Sequence, residues 1–388
     1  MIWIEQMFQN FSLQGIWGII FILFGIVWLI SMLYFWVVFS RLAFYKESPP
    51  DNKGQEKDYS PPVSVVISAK NEYYNLSEFL PDILEQDYPE YEVIVVNDAS
   101  IDDTAELLED MKRKYAHLKV INLYENVNFF KGKKFPLSVG IRSAKHEHLL
   151  LTDADCKPAG KLWISSMMSC YEDQTEIVLG YGKYEEKKGL LNKLQRYDTL
   201  FTAMQYFSFA LIGMPYMGVG RNLSYLKKLF KQTRGFSAHY KIKSGDDDLF
   251  INKVAHKTNT NICLKKESYT ISKSISNLNQ WITQKRRHLT TGHYYKAKHK
   301  FWLYLFGIAR LLFWITLIAL LIRFYNGIYV ILAGAVMLFT YLFILKKVMN
   351  NLNEKRLLFI TPLLDLLVLF TYLFISFANQ IRKPDKWK

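Results

Sequence analysis

Asp153 and Asp155, in Thr152-Asp153-Ala154-Asp155, set two carboxylates one residue apart just after the apolar run Leu149-Leu150-Leu151. Such a pair repels itself unless a positive group lies between its members. A hard divalent cation that also binds phosphate oxygens meets that need; two solvated acids in a loop are the plainer alternative. A second acidic group, Asp246-Asp247-Asp248, stands between Gly245 and the apolar Leu249-Phe250-Ile251. Acids at a helix start are favoured by its dipole, and one held near a metal would serve as a general base. Lys133, in Lys131-Gly132-Lys133-Lys134, can reach a phosphate. Gln284-Lys285-Arg286-Arg287 offers guanidinium donors suited to a pyrophosphate, or else head-group contact beside a membrane. Glu72 and Asp98 add acids at two further segment ends.

The elements that must position these residues alternate between strand and helix. Val63 to Ser68, Glu92 to Val96, Leu118 to Leu123 and His148 to Leu151 read as buried strands, and helical stretches separate them. Each strand ends in polar residues. That is the pattern of an α/β doubly wound sheet, whose ligands sit beyond the carboxyl ends of its strands. After Cys156, Lys161–Tyr171 reads as a helix and Ile177–Tyr184 as a strand. Leu190–Pro215 is rich in Phe, Tyr and Met, and reads as a core helix, a membrane-facing helix or an aromatic acceptor groove.

The 388 residues are 50% hydrophobic and 16% aromatic, with the apolar excess gathered toward both ends. The net charge of +14 favours phosphates and lipid head groups, because much of the basic charge lies beside the apolar segments; nucleic acid is disfavoured. Cys156, Cys170 and Cys263 form no CxxC, which fits a reducing compartment and argues against disulfides or a zinc site. Gly15–Phe39 is long enough to span a bilayer, and Arg41 and Lys46 behind it place the next domain in the cytoplasm. The expected division is an anchor over 1–45, a linker over 46–60 with Pro49, Pro50 and Gly54, a globular domain over 61–298, and a membrane region over 299–388. That last region holds two to three spans: Phe301–Ile322, Gly327–Leu345 and Leu357–Phe377. The third carries Pro362 and Asp365, and reads equally as re-entrant or interfacial; as a span it would put the basic tail, residues 382–388, outside, against the positive-inside tendency.

In order, Pro62–Ile67, Val96-Asn97-Asp98-Ala99-Ser100, Gly132-Lys133, Thr152-Asp153-Ala154-Asp155, Gly245-Asp246-Asp247-Asp248 and Gln284-x-x-Arg287 resemble the membrane-bound family 2 glycosyltransferases. That group includes cellulose, hyaluronan, chitin and poly-N-acetylglucosamine synthases. The resemblance implies a GT-A-type, Rossmann-like domain that transfers a sugar with inversion from a nucleotide-sugar, with UDP expected, to a lipid, lipid-linked or polysaccharide acceptor. By the family pattern Asp98, Lys133, Asp153, Gln284 and Arg287 bind the nucleotide-sugar. Asp155, with Asp153, holds Mg2+ or Mn2+. Asp247 is favoured as the base, and Asp246 remains open. His288 stands on the acceptor side where the family has Trp, and this smaller ring puts processive synthesis of a long polymer in doubt. Asn97 and Ala99 replace a family Asp and Gly. Integral location in the plasma or inner membrane follows. A channel or transporter subunit with a nucleotide-sensing domain, or an inactive scaffold on the same fold, are the competing readings.

Overall fold

The computed structural model describes residues 15–47, 60–124, 132–240, 242, 244–323 and 325–381; most of the expected linker, Lys131 and the basic tail lie outside them. The chain divides into two units, Met1–Tyr45 with Ala297–Ile360, and Lys46–Lys296 with Thr361–Lys388.

The first unit is built from helices α1 (Gly15–Ala43), α10 (Ala297–Arg323) and α11 (Gly327–Asn351). Each is long and apolar enough to cross a membrane. They are pinned to one another where polar groups meet backbone: the Trp28 indole donates to the Ala333 carbonyl at 2.9 Å, the Tyr34 hydroxyl to Trp302 O at 2.6 Å, and the Asn351 amide to Leu42 O at 2.7 Å. Phe24 stacks on Phe313 with centroids 5.8 Å apart. Ile19, Ile26, Leu29 and Leu33 point outward, exposed. An apolar exterior over polar-pinned helices suits a lipid solvent, where no water satisfies a stray polar group.

The second unit holds the mixed α/β sheet. Its strands are β1 (Val63–Ala69), β2 (Tyr91–Asp98), β3 (Leu118–Leu123), β4 (His148–Asp153), β6 (Ile177–Leu179), β8 (Leu223–Leu226) and β9 (Thr260–Ile262), in the order β3-β2-β1-β4-β8-β6-β9. The first four run parallel. Val63, Val65, Val66 and Ile67 of β1 are all fully buried, which is why this strand is an unbroken apolar run and not an alternating one. Helices α2 (Tyr73–Leu84) and α5 (Trp163–Met168) cover one face. Leu76, Leu80 and Ile83 of α2, at helical spacing, pack with Val65, Val93, Leu150 and Trp163 in one core. Helices α3 (Thr104–Lys114) and α4 (Lys134–Ser143) link the remaining parallel strands.

Beyond β4 the sheet departs from simple winding. β8 pairs with β4 antiparallel, Leu151 opposite Leu223. The end of β4 therefore meets the start of β8, and the loops holding Asp155 and Arg221 share one edge. Ile177–Tyr184 is two short strands, β6 and β7 (Gly182–Tyr184), in different sheets. The break falls at Gly180, where a Cβ would sit 2.5 Å from Asn222 Nδ2. The second sheet, β5-β10-β7, adds β5 (Cys156–Pro158) and β10 (Thr270–Ser272) directly behind the acidic pair. Helix α6 (Leu190–Leu211) is the aromatic stretch; Tyr197, Phe201, Tyr206, Phe207 and Phe209 are all buried, so it is a core helix. The unit is completed by α7 (Lys227–Gln232), α8 (Asp248–Val254), α9 (Leu278–His288) and α12 (Thr361–Ile381).

Candidate active site

Asp98, Asp153 and Asp155 stand at one sheet edge because their strands run parallel and end together. Ser68 of β1 is level with both Val96 and Asp153, so Asp98 projects two residues further along β2. The loops behind β1 and β2 are laced together. Asn71 N–H donates to Ser100 Oγ at 2.9 Å, Ile101 N–H to Asn71 Oδ1 at 2.9 Å, and Glu72 N–H to Thr104 Oγ1 at 3.0 Å. Asn71 and Ala99 take φ of 55° and 48°, the left-handed region that glycine enters freely. Asp98 is buried, with Lys70 Nζ 3.8 Å from its Oδ2.

Lys133, at the N-terminus of α4, joins the two acidic groups. Its ammonium is ion-paired with Asp153 and lies 3.9 Å from Asp246 Oδ2. Burial works against the charged amine, but Asp153 and Asp246 outweigh it and raise its pKa above the ordinary lysine value. Burial likewise opposes ionisation of Asp153, yet Lys133, Arg221 and Arg287 hold its pKa below the usual range.

The acid triplet divides by partner. Asp248 is buried and accepts from the Thr291 hydroxyl and, at 2.7 Å, from the Tyr295 hydroxyl. It braces the start of α8. Asp247 caps that helix and is half-buried. Its Oδ2 accepts from Gly220 N–H and its Oδ1 from Asp248 N–H, both at 2.7 Å. Burial first, and then the charges of Asp246 and Asp248, push its pKa up to about 7. Asp247 is thus the member best poised to take a proton near neutral pH, whereas Asp246 faces the Lys133 ammonium.

Ligand atoms of Asp153, Asp155 and Cys156 lie within 4.8 Å of one another and could hold a metal ion. Burial, Asp155 and Asp153 raise the Cys156 thiol well above its ordinary pKa, and its Sγ lies 3.0 Å from Ser272 Oγ. With the buried thiol already in contact with Ser272, the two carboxylates are the better donor set, which fits a hard, oxygen-binding cation.

Gln284 and Arg287 lie on α9. Gln284 Oε1 accepts from the Tyr184 hydroxyl at 3.3 Å, and the Tyr184 ring carries the Arg221 guanidinium 4.9 Å from its centroid. Arg221 NH1 also donates to Ser272 Oγ at 3.3 Å, while the hydroxyls of Thr152 and Thr270 hold its carbonyl at 2.9 and 3.0 Å. Arg221 is the residue that motif reading left without a role. Its signal was weak, one cation in a short glycine-bearing loop, and only the β4–β8 pairing brings it to Asp153. Asp98 and Lys70 form a separate group on the β2 side. His288 is exposed at the end of α9.

A mixed α/β sheet with a D-x-D pair, a second acidic group and basic residues at one edge is the arrangement of a GT-A-type fold. Residues 64–237 match the profile of Glycosyl transferase family 2. A poly-beta-1,6-N-acetyl-D-glucosamine synthase of Staphylococcus epidermidis is 32% identical over 130 residues, 32% of this chain and 30% of that protein. Its counterpart in Staphylococcus aureus (strain COL) is 26% identical over 175 residues, 44% of this chain and 40% of that protein. The matched stretch spans less than half the length of these curated relatives. A mannosyltransferase from Pyrobaculum calidifontis, solved in complex with GDP-Man and Mn2+, shares the fold with a TM-score of 0.57, over 87% of this chain and 99% of that one at 18% identity.

Proposed function

We propose that the protein is a membrane-bound inverting glycosyltransferase, with its catalytic domain in the cytoplasm, that uses a UDP-sugar and a lipid, lipid-linked or polysaccharide acceptor. The observation that carries this reading is Lys133, which gathers Asp153 of the D-x-D and Asp246 of the acid triplet around one cation. Carboxylates of the groups proposed for donor binding and for proton acceptance thereby stand around one ammonium.

Asp98 and Lys70 take the base and ribose side of the nucleotide, and Lys133, Arg221 and Arg287 bind its diphosphate. Asp155 and Asp153 would hold Mg2+ or Mn2+, which would supply further neutralisation of the charge on the leaving diphosphate. Asp247 accepts the proton of the acceptor hydroxyl. The oxygen attacks the anomeric carbon from the face opposite the diphosphate; the new C–O bond forms as the bond to the diphosphate breaks, and the configuration inverts. No covalent enzyme intermediate is required. His288 presents a smaller ring than the family Trp to an acceptor, which favours a short product.

The test is release of UDP by membranes containing the protein, across a panel of UDP-sugars that starts with UDP-N-acetylglucosamine, with Mg2+ or Mn2+. Release with one donor, lost in Asp155→Ala and Asp247→Asn, is the expected result. No release together with no binding of UDP would sink the reading.

A further inference from the structure

Helix α12 is long and apolar enough to cross a bilayer, yet its two faces meet different chemistry. Asp365, Tyr372 and Asn379 recur every seven residues and so share one stripe of the helix. All three are hydrogen-bonded within the catalytic unit. The Tyr197 hydroxyl donates to Asp365, and the Tyr372 hydroxyl donates to Asp198. Arg286 Nε donates to Asn379 Oδ1 at 3.0 Å, and Asn379 Nδ2 donates back to Arg286 O at 3.0 Å. From Asp365 to Asn379 the stripe covers about 21 Å of helix. The helix is therefore fastened along most of its length.

Its partners set its depth. Tyr197 and Asp198 belong to α6, which packs against β7 of the small sheet. Asp198 is ion-paired with Lys285 of α9, where Arg286, Arg287 and His288 follow in sequence. A helix with three adjacent cations does not share hydrocarbon depth with lipid chains, and α12 lies against it. On the opposite face Leu363, Phe370, Phe374, Phe377 and Ile381 are each more than half exposed. With its polar stripe bound to a basic helix that stays at head-group depth and its apolar face open, α12 has the arrangement of a helix lying in the plane of a membrane surface.

We propose that α12 does not cross the membrane but lies in the bilayer interface, on the same side as the catalytic unit, with its Phe-rich face in lipid. Two features of the chain select lipid as the occupant of that face. Only residues 352–360 separate α12 from α11, a helix apolar enough to span. The residues after α12 include Arg382, Lys383, Lys386 and Lys388, which complement anionic head groups. The positive-inside conflict of a third C-terminal span then disappears. Because Lys285 and Arg286 anchor the stripe, the same contact also sets the position of Gln284 and Arg287.

Membrane-sidedness labelling tests this without reference to activity. The native cysteines are all buried, so Lys188→Cys, on the exposed surface of the catalytic unit, and Lys386→Cys report cleanly against the parent background. In sealed vesicles an impermeant maleimide is expected to label both from the same face. Labelling from opposite faces would overturn the proposal. Nitroxides at Leu363→Cys, Phe370→Cys and Phe377→Cys, read by collision with oxygen and with a water-soluble nickel chelate, are expected to lie at one shallow depth. A steady change of about 21 Å between the first and the last, or absence of oxygen collisions because protein covers the face, would each overturn it.

Discussion

Lys133 and Asp246 lie 3.9 Å apart while the same ammonium is ion-paired with Asp153. One cation thus serves carboxylates from two distant parts of the chain, at the end of β4 and at the start of α8. Replacing Lys133 by Met removes the ammonium that lies between the two acids, and with it the donor proposed for the diphosphate. Loss of one such preorganised donor typically costs about 10²–10³ in turnover. Lys133→Met is expected to fall by about that factor in UDP release, and Lys133→Arg to recover part of it. Full activity in Lys133→Met would remove this residue from the site.

As the proposed base, Asp247 is expected to set the pH dependence. Its pKa is pushed up to about 7, and only the ionised form can take the acceptor proton. Activity is therefore expected to rise about tenfold per pH unit below 7 and to level off above it. Asp247→Asn is expected to lose about 10²–10⁴ in rate and to show no such rise. Initial rates from pH 5.5 to 9 at saturating donor make the measurement; an unchanged profile in Asp247→Asn would assign the titration elsewhere.

The metal prediction separates the carboxylates from the thiol beside them. Asp155→Ala is expected to abolish UDP release and weaken Mn2+ binding, read by calorimetry. Cys156→Ser is expected to keep both, because the thiol is buried and in hydrogen-bond contact with Ser272. Chelation of the parent should stop the reaction, and Mg2+ or Mn2+ should restore it. Equal damage from both substitutions would make Cys156 a ligand.

Much of the catalytic unit could be read from the chain because β1, β2 and β4 are buried on both faces, which leaves unbroken apolar runs such as Leu149-Leu150-Leu151. The polar residues at their ends then fall on one edge by geometry alone. Arg221 was not legible. Its place depends on the antiparallel entry of Leu223-Ser224-Tyr225-Leu226 beside β4, and four residues with a Ser and a Tyr carry no periodicity. The polar stripe of α12 was hidden for a different reason: hydropathy averages all faces of a helix, and Asp365, Tyr372 and Asn379 are diluted by the Phe and Leu between them. Ala99 takes a left-handed φ of 48°, a region glycine enters freely, at the position where the resemblance places a glycine.

Arg221 offers a test of that late-found group. Its guanidinium is stacked near the Tyr184 ring and bonded to Ser272, a planar arrangement that a lysine cannot copy. Arg221→Lys is expected to raise the donor KM about tenfold or more, one charge-assisted contact being worth about 1.5–3 kcal/mol. Tyr184→Leu should do the same to a smaller degree, and should also loosen Gln284, whose side chain accepts from that hydroxyl. Unchanged donor KM in Arg221→Lys would reduce its role to bulk charge.

Asp198 and Lys285 predict stability as well as activity. Both are buried, and the pair joins α6 to α9 with the Tyr372 hydroxyl closing on the same carboxylate. Removing one partner of such a pair strands the other charge, which commonly costs about 3–5 kcal/mol. Asp198→Asn is therefore expected to lower the Tm of the purified protein clearly, with Tyr372→Phe losing less because the ion pair survives. The effect on the reaction should follow a distinct pattern. Lys285 sits between Gln284 and Arg287 on one helix, so Tyr372→Phe, which keeps the ion pair, should raise the donor KM more than it lowers kcat. A fall in kcat alone would place α9 outside donor binding.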